Sequence, residues 1–214
     1  MTKKLIIFDV DEVLLDNKLG GLKDILVILG KGKRVREIDK EYQKRKLAGP
    51  WGLEQLAKLY RSFFKERLKK LAIKYCKENL MNGTKECLEK LKAKNYVLGA
   101  LSSNPQFIMD TLSKILPLNF SEGTKLEFKK GIATGKIQRK VDRYIKAKIL
   151  KGKIKKYKLK KENAIVVGDS ITDLPMTKEA GVFIAFLPKE KEVEKIANFV
   201  IKKKDLREIL KYIG

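Results

Sequence analysis

Asp9 and Asp11 stand two residues apart, just past the apolar run LIIF that has the makings of a buried strand. On an extended backbone residues two apart leave on the same side, which brings the two carboxylates together. Like charges that close repel, and burial raises the cost. A hard divalent cation with oxygen ligands is the simplest compensation. Two more polar sets follow apolar runs of strand length: Ser102, Ser103 and Asn104 after residues 96–101, and Gly168, Asp169, Ser170 and Asp173 after residues 164–167. Asp169 is the natural third carboxylate. Mg²⁺ keeps several waters and shares its shell with a substrate phosphate, so few protein ligands suffice. One aspartate can then attack phosphorus, while its neighbour protonates the leaving oxygen and later deprotonates a water. Phosphoryl transfer otherwise needs positioning and charge neutralisation, suited to the Ser102 hydroxyl, the N–H groups beyond it and a lysine. Glu12 is expected to face away from Asp9 and Asp11.

These residues need a scaffold that delivers them to one place. The apolar runs at 4–8, 96–101, 164–167, 182–186 and 199–201 are short, unalternating and rich in branched residues, as strands buried on both faces are. Helical patterns separate them; in TKECLEKLKAK, Cys87, Leu88 and Leu91 share a face. Strands alternating with helices imply an α/β fold, a doubly wound parallel sheet whose ligands bind beyond the carboxyl ends of the strands. Residues 17–80 break the alternation with amphipathic helices alone, entered through Gly20–Gly21 and left near Asn82–Gly83. The expected organisation is therefore a core of residues 1–16 plus 81–214 and a helical insertion of residues 17–80. Residues 125–137 read as a small hairpin, with Gly131 and Gly135 supplying turns.

Composition narrows the chemistry. The 214 residues contain no histidine, which excludes Ser-His triads, histidine-ligated zinc and histidine acid–base catalysis. Cys76 and Cys87 lack metal-ligand spacing and read as buried apolar fillers. No run approaches the roughly 20 apolar residues of a membrane span, and MTKKLIIFDV is too short in its apolar part for a signal peptide, so a cytoplasmic location is expected. The net charge of +24 raises nucleic-acid binding as an alternative. The densest basic run, KGKIKKYKLKKE, carries recurring Ile154, Tyr157 and Leu159, so a solvated helix face is preferred. Trp51 reads as an anchor within the insertion's core.

DVDEV, Ser102 after a second strand, a lysine, and GDSITD resemble, in order and spacing, the four motifs of the haloacid-dehalogenase-like phosphatases. The resemblance covers essentially the whole chain and implies a Rossmann-like core with a C1-type helical cap. From KAKIL through VVGDSITDLPM and KDLREILKYI the chain looks like the phosphoserine phosphatase branch. The resemblance implies Asp9 as nucleophile, Asp11 as general acid/base, and Ser102 with Lys146 as the phosphate-binding pair, Ser103 beside them. It also implies Mg²⁺ held by Asp9, the Asp11 backbone carbonyl and Asp169, with Asp173 in support. Lys136, Lys140, Lys148 and Lys151 compete with Lys146, which is chosen because KAKIL starts a helical pattern at the family's distance before the fourth motif.

The departures concern substrate. Ser103 and Asn104 stand where that branch has two glycines, Lys18 where it has a substrate-binding glutamate, and Lys58 or Arg61 near its cap arginine. A lysine repels an amino group, so the expected substrate is a small phosphorylated metabolite, phosphoserine or a related anionic phosphate, with an amine-free ester favoured. A phosphotransferase passing the group to an alcohol is the alternative within the same chemistry. The enzyme and nucleic-acid readings separate cleanly. Asp9→Asn is expected to abolish Mg²⁺-dependent hydrolysis of an aryl phosphate with circular dichroism unchanged; salt-sensitive DNA or RNA binding that survives this substitution supports the alternative instead.

Overall fold

The computed structural model describes residues 3–213. Seven strands form one sheet: β1 (Leu5–Phe8), β2 (Val97–Pro105), β3 (Phe120–Lys129), β4 (Ile132–Arg139), β5 (Ala164–Gly168), β6 (Val182–Phe186) and β7 (Phe199–Ile201). Their order is β4-β3-β2-β1-β5-β6-β7, parallel throughout except for the β3–β4 pair. Strand order reverses at β1, so the crevice beyond Phe8 lies at the topological switch point.

The apolar runs of β1, β2, β5 and β6 bury both faces, whereas β7, at the edge of the sheet, buries only Ile201 and leaves Phe199 exposed. Ile6 and Phe8 join the cluster with α5 (Thr84–Ala93) and α6 (Gln106–Ile115); Leu5 and Ile7 face α7 (Arg143–Lys156), α8 (Leu174–Thr177) and α9 (Lys191–Ile196). Cys87, Leu88 and Leu91 face inward as their spacing predicts. Both cysteines are buried and unpaired, and burial pushes their thiols up to about 12, which leaves them unreactive. In the basic run, Ile154, Tyr157 and Leu159 pack on the sheet while Lys153 pairs with Glu122, the pattern of a solvated helix face.

The segment between β1 and β2 contains α1 (Gly21–Ile28), α2 (Gly32–Arg45), α3 (Leu53–Leu59) and α4 (Lys65–Glu78), and no strand of the sheet. At its neck the two chain passes pair through main-chain bonds, Asp16 N to Asn79 O (2.8 Å) and Met81 N to Leu14 O (3.0 Å). A second attachment runs along β4, where Ser62 N reaches Ala133 O (2.9 Å), Ala133 N reaches Phe63 O (2.9 Å) and Lys65 N reaches Gly131 O (2.8 Å). No helix among the described residues is long and apolar enough to cross a membrane.

Two expectations change. The hairpin is longer than residues 125–137, because Phe120–Glu122 first extend the parallel sheet beside β2; that stretch lacks the branched apolar run that marks the other strands. Gly131 does sit in its turn (φ +77°), but Gly135 (φ +80°) lies within β4 and accommodates α3. A Cβ there would lie 3.3 Å from the Lys58 backbone.

The core should respond as a close-packed one. Ile7 is fully buried on the central strand, so Ile7→Ala is expected to cost about 2–5 kcal/mol of unfolding free energy in urea titrations at unchanged m-value.

Candidate active site

Asp9 N still bonds across the sheet to Val167 O (2.9 Å), but the chain then turns sharply. The N–H groups of Val13, Leu14 and Leu15 all point back to Val10 O (3.3, 2.9 and 2.8 Å), and Glu12 adopts a left-handed φ of +59°. This turn separates the two aspartates. The Asp11 carboxylate is held at the insertion's neck, where its Oδ1 accepts from Gly21 N (2.9 Å), Asn17 Nδ2 (2.7 Å) and Asn104 Nδ2 (2.9 Å). Its Oδ2 accepts nothing among the described residues and lies beside Gly20, where a Cβ would come within 2.9 Å of it.

Asp9 instead gathers with Asp169 and Asp173, all buried, with one oxygen of each within 4.8 Å of the others. The Asp11 carboxylate stands outside that group, so the expectation of two aspartate side chains sharing one cation is corrected by the turn at residues 10–14. Burial first, then Asp173 and Asp11, raise the Asp9 pKa to about 7 against the pull of Lys146. Burial and Asp173 likewise push Asp169 well above the carboxylate range.

Two ammonium groups partly offset this cluster. Asp142 caps α7, accepting from Tyr144 N and Ile145 N (both 3.0 Å), and the first turn then points Lys146 inward. Lys146 Nζ reaches Asp9 Oδ1 (2.7 Å) and Asp173 Oδ1 (3.0 Å); burial disfavours its charge, but the two carboxylates outweigh that and raise its pKa. Lys136, Lys148 and Lys151 are exposed, and Lys140 pairs with Glu54 (3.0 Å). Asp173 Oδ2 accepts from Asp169 N (3.1 Å) and Ser170 N (3.4 Å), so both its oxygens are engaged.

The second cation, Lys189, was not foreseen. Its Nζ lies 2.6 Å from Asp169 Oδ2 and 3.1 Å from Glu12 Oε1, and its own N–H reaches Asp169 O (2.9 Å). Glu12 therefore faces the site instead of pointing away, because its left-handed backbone redirects the side chain. Lys189 follows β6 just as Asp169 follows β5, so position past a strand end was the available signal. Lys189 thus occupies Asp169 Oδ2 as a close ion pair. Neither Asp169 Oδ1 nor Asp9 Oδ2 accepts a hydrogen bond among the described residues. Those two oxygens, in a cluster of three buried carboxylates, form a donor set that fits a hard divalent ion.

Asp9, Asp11, Ser102, Ser103, Lys146, Asp169 and Lys18 line one cavity of about 360 Å³. The Ser102 Oγ accepts from Asn104 N (3.1 Å), which leaves its hydroxyl hydrogen for a ligand. Asn104 is buried; besides gripping Asp11 it accepts Leu22 N (2.7 Å), tying β2 to α1. The insertion supplies an apolar roof of Ile38, Tyr42, Trp51, Leu53 and Leu56, so Trp51 both packs in the insertion's core and faces the cavity. Lys58 and Arg61 are not part of this lining. The far end of α3 packs on β4, where Arg61 Nε donates to Thr134 O (3.1 Å), so neither residue serves as the cavity's cap cation. Lys23, Lys46 and Arg143 occupy the rim instead.

A family model of haloacid dehalogenase-like hydrolases matches residues 3–181. The phosphoserine phosphatase of Methanocaldococcus jannaschii is 33% identical over 212 residues, covering 99% of this chain and 98% of that protein. That of Archaeoglobus fulgidus is 29% identical over 185 residues, covering 86% of this chain; the match spans only 52% of that relative. Among solved structures, a substrate-bound phosphoserine phosphatase complex superposes with a TM-score of 0.86 at 29% identity, and a phospho-aspartyl intermediate analogue of phosphoserine phosphatase with 0.85 at 29%, each covering both chains completely. With the turn after β1, the acid cluster and the helical insertion all inside the matched region, the chain belongs to the haloacid dehalogenase-like hydrolases, as a phosphatase.

Proposed function

We propose that the protein hydrolyses a small phosphomonoester through a phosphoryl-aspartate on Asp9, with Mg²⁺ at Asp9 and Asp169, and that residues 17–80 act as a cap over a core of residues 1–16 and 81–214. The observation that carries this is the division of labour between oxygens. Lys146 holds Asp9 Oδ1 while Oδ2 is unengaged, and three donors hold Asp11 Oδ1 while its Oδ2 is unengaged. Asp9 Oδ2 attacks phosphorus, the ester P–O bond breaks, and Asp11 Oδ2 delivers its proton to the departing oxygen. Water then attacks the same phosphorus, Asp11 takes its proton, and the acyl–phosphate bond breaks to release phosphate and regenerate Asp9. Ser102 Oγ–H, the Ser103 N–H and the Lys146 ammonium neutralise the phosphoryl oxygens. Mg²⁺, when bound, would add charge neutralisation for the phosphoryl group; Asp9, Asp169 and the Asp11 backbone carbonyl would hold it, with Asp173 holding Lys146 and the Asp169 loop in place. A cytoplasmic setting fits such metabolite chemistry.

The rim argues for an anionic, amine-free substrate. Outside the reaction centre its acids are all committed: Glu12 to Lys189 (3.1 Å), Asp39 to Lys23 (2.6 Å), Glu190 to Lys46, and Asp142 to the α7 cap. Lys18 has no acidic partner among the described residues, and Arg143 binds only the carbonyls of Lys46 (2.8 Å) and Gly49 (3.5 Å). An ammonium group thus finds no free carboxylate, whereas a second anionic group finds Lys18.

Calorimetric titration with Mg²⁺ tests the metal. Asp169→Asn is expected to weaken binding by at least about tenfold. Lys189→Met, which removes a competing ammonium, should tighten it roughly fivefold, the equivalent of about 1 kcal/mol. Unchanged affinity in both removes Mg²⁺ from this site. For the substrate, 3-phosphoglycerate carries a hydroxyl where O-phosphoserine carries its ammonium. Its kcat/KM is expected to exceed that of phosphoserine by roughly tenfold, with Lys18→Glu narrowing the gap; strict dependence on phosphoserine refutes the amine-free assignment.

A further inference from the structure

The proposed reaction gives Glu12 no task, yet the backbone adopts an uncommon conformation to bring it to the cavity. Its φ of +59° is left-handed, a region that residues with a side chain visit rarely and that clusters at functional turns. Asn17 Oδ1 fixes that turn by accepting Glu12 N (3.1 Å). The carboxylate so redirected meets one cation among the described residues, Lys189. The Lys189 Nζ lies 3.1 Å from Glu12 Oε1 and 2.6 Å from Asp169 Oδ2, shared between the two acids.

These acids differ in their access to water. The Asp169 side chain is 2% exposed, whereas that of Glu12 is 29% exposed and stands on the open side. A buried carboxylate without a counter-charge is costly, so Asp169 holds Lys189 as its counter-ion while no metal is bound. A divalent ion on Asp169 reverses that preference, because it supplies the counter-charge and repels an ammonium so close by. Lys189 can yield without becoming unpaired: giving up Asp169 leaves the contact it already makes with Glu12. Its main chain stays fixed throughout. Lys189 N is tied to Asp169 O (2.9 Å), Leu187 N to Ile201 O (2.8 Å), and Glu190 Oε2 accepts Ile171 N (3.1 Å). The exchange is therefore confined to a flexible, partly exposed side chain.

We infer that Lys189 and Glu12 together form a displaceable counter-ion for the metal position. Lys189 neutralises Asp169 in the metal-free protein; Glu12 is a positioning residue that acts through Lys189, retaining its ammonium when a divalent ion takes over Asp169. This rests on the ion site proposed at Asp9 and Asp169, and the two fail differently. A flat wild-type isotherm with Mg²⁺ sinks both, whereas a normal isotherm that Glu12→Gln leaves unaltered sinks the Glu12 role alone.

A double-mutant cycle read by calorimetric Mg²⁺ titration provides the test. Glu12→Gln keeps the side chain's size and removes the charge that draws Lys189 away, so it is expected to weaken Mg²⁺ binding roughly fivefold. In the Lys189→Met background the same change is expected to stay within about twofold, because no ammonium remains to be retained. A carboxylate that attracted the dication directly through space would weaken binding alike in both backgrounds, so equal losses overturn the inference. Thermal unfolding supplies a second readout. With a chelator present, Lys189→Met is expected to melt about 2–4 °C below wild type, and saturating Mg²⁺ to close the gap. A variant as stable as wild type without metal, or a deficit that Mg²⁺ leaves in place, overturns the counter-ion role.

Discussion

The structure depends on one shared ion pair: the Lys146 ammonium wedged between Asp9 and Asp173 at the carboxyl ends of β1 and β5. Three buried carboxylates cannot coexist there without it, and removing one partner of such a buried group costs about 3–5 kcal/mol. Much of the nearby sequence serves this contact. Asp142 caps α7 so that Lys146 arrives from the first turn, and the Asp169 and Ser170 N–H groups fix Asp173 from below. Gly168 has no side chain because a Cβ would sit 2.5 Å from Asp173 Oδ2. Even so, two ammonium groups face three carboxylates, and that deficit of positive charge is what makes the crevice receptive to a divalent ion.

Much of the architecture was legible from the chain. Five of the parallel strands announced themselves as unalternating branched runs, though β7 at the sheet edge is only partly buried, and the insertion as helical spacing without a strand. β3 was only half visible, because Phe120–Glu122 contribute to the parallel sheet without the apolar signature of a buried strand. Asp9 and Asp169 were visible because each follows a strand; Ser102 and Ser103 were visible by the apolar run before them, although β2 does not end at Leu101 as expected but carries on through them to Pro105. Lys189 follows a strand too, yet was hidden among so many lysines, where residue type carries little information.

Side-chain direction was the less legible level. The extended geometry that paired Asp9 with Asp11 ends at Phe8, and a left-handed Glu12 reverses the sense of the next residues; no local propensity in DVDEV demands that turn. Lys58 and Arg61 failed for a tertiary reason, since a glycine in β4 admits α3 so closely that its far end belongs to the sheet edge. Asn17 and Asn104 are ordinary neck and core residues by sequence. Their significance exists only once the neck folds against β2.

The insertion is attached to the core in two chemically different ways. Along β4 and at the neck the links are main-chain hydrogen bonds, largely indifferent to dissolved salt. Around the cavity they are charged groups: Lys46 with Glu190, Lys140 with Glu54, and Arg143 on the carbonyls of the α2–α3 loop. Exposed ion pairs weaken as ionic strength rises. The molecule therefore resembles a lidded box whose hinge is peptide and whose clasp is electrostatic. Glu190 also accepts the Ile171 N–H, so the clasp is anchored on the loop that carries Asp169. On the proposed reading, an anionic substrate arriving at the rim competes for the same lysines that hold the clasp shut, which would make the guest itself the key.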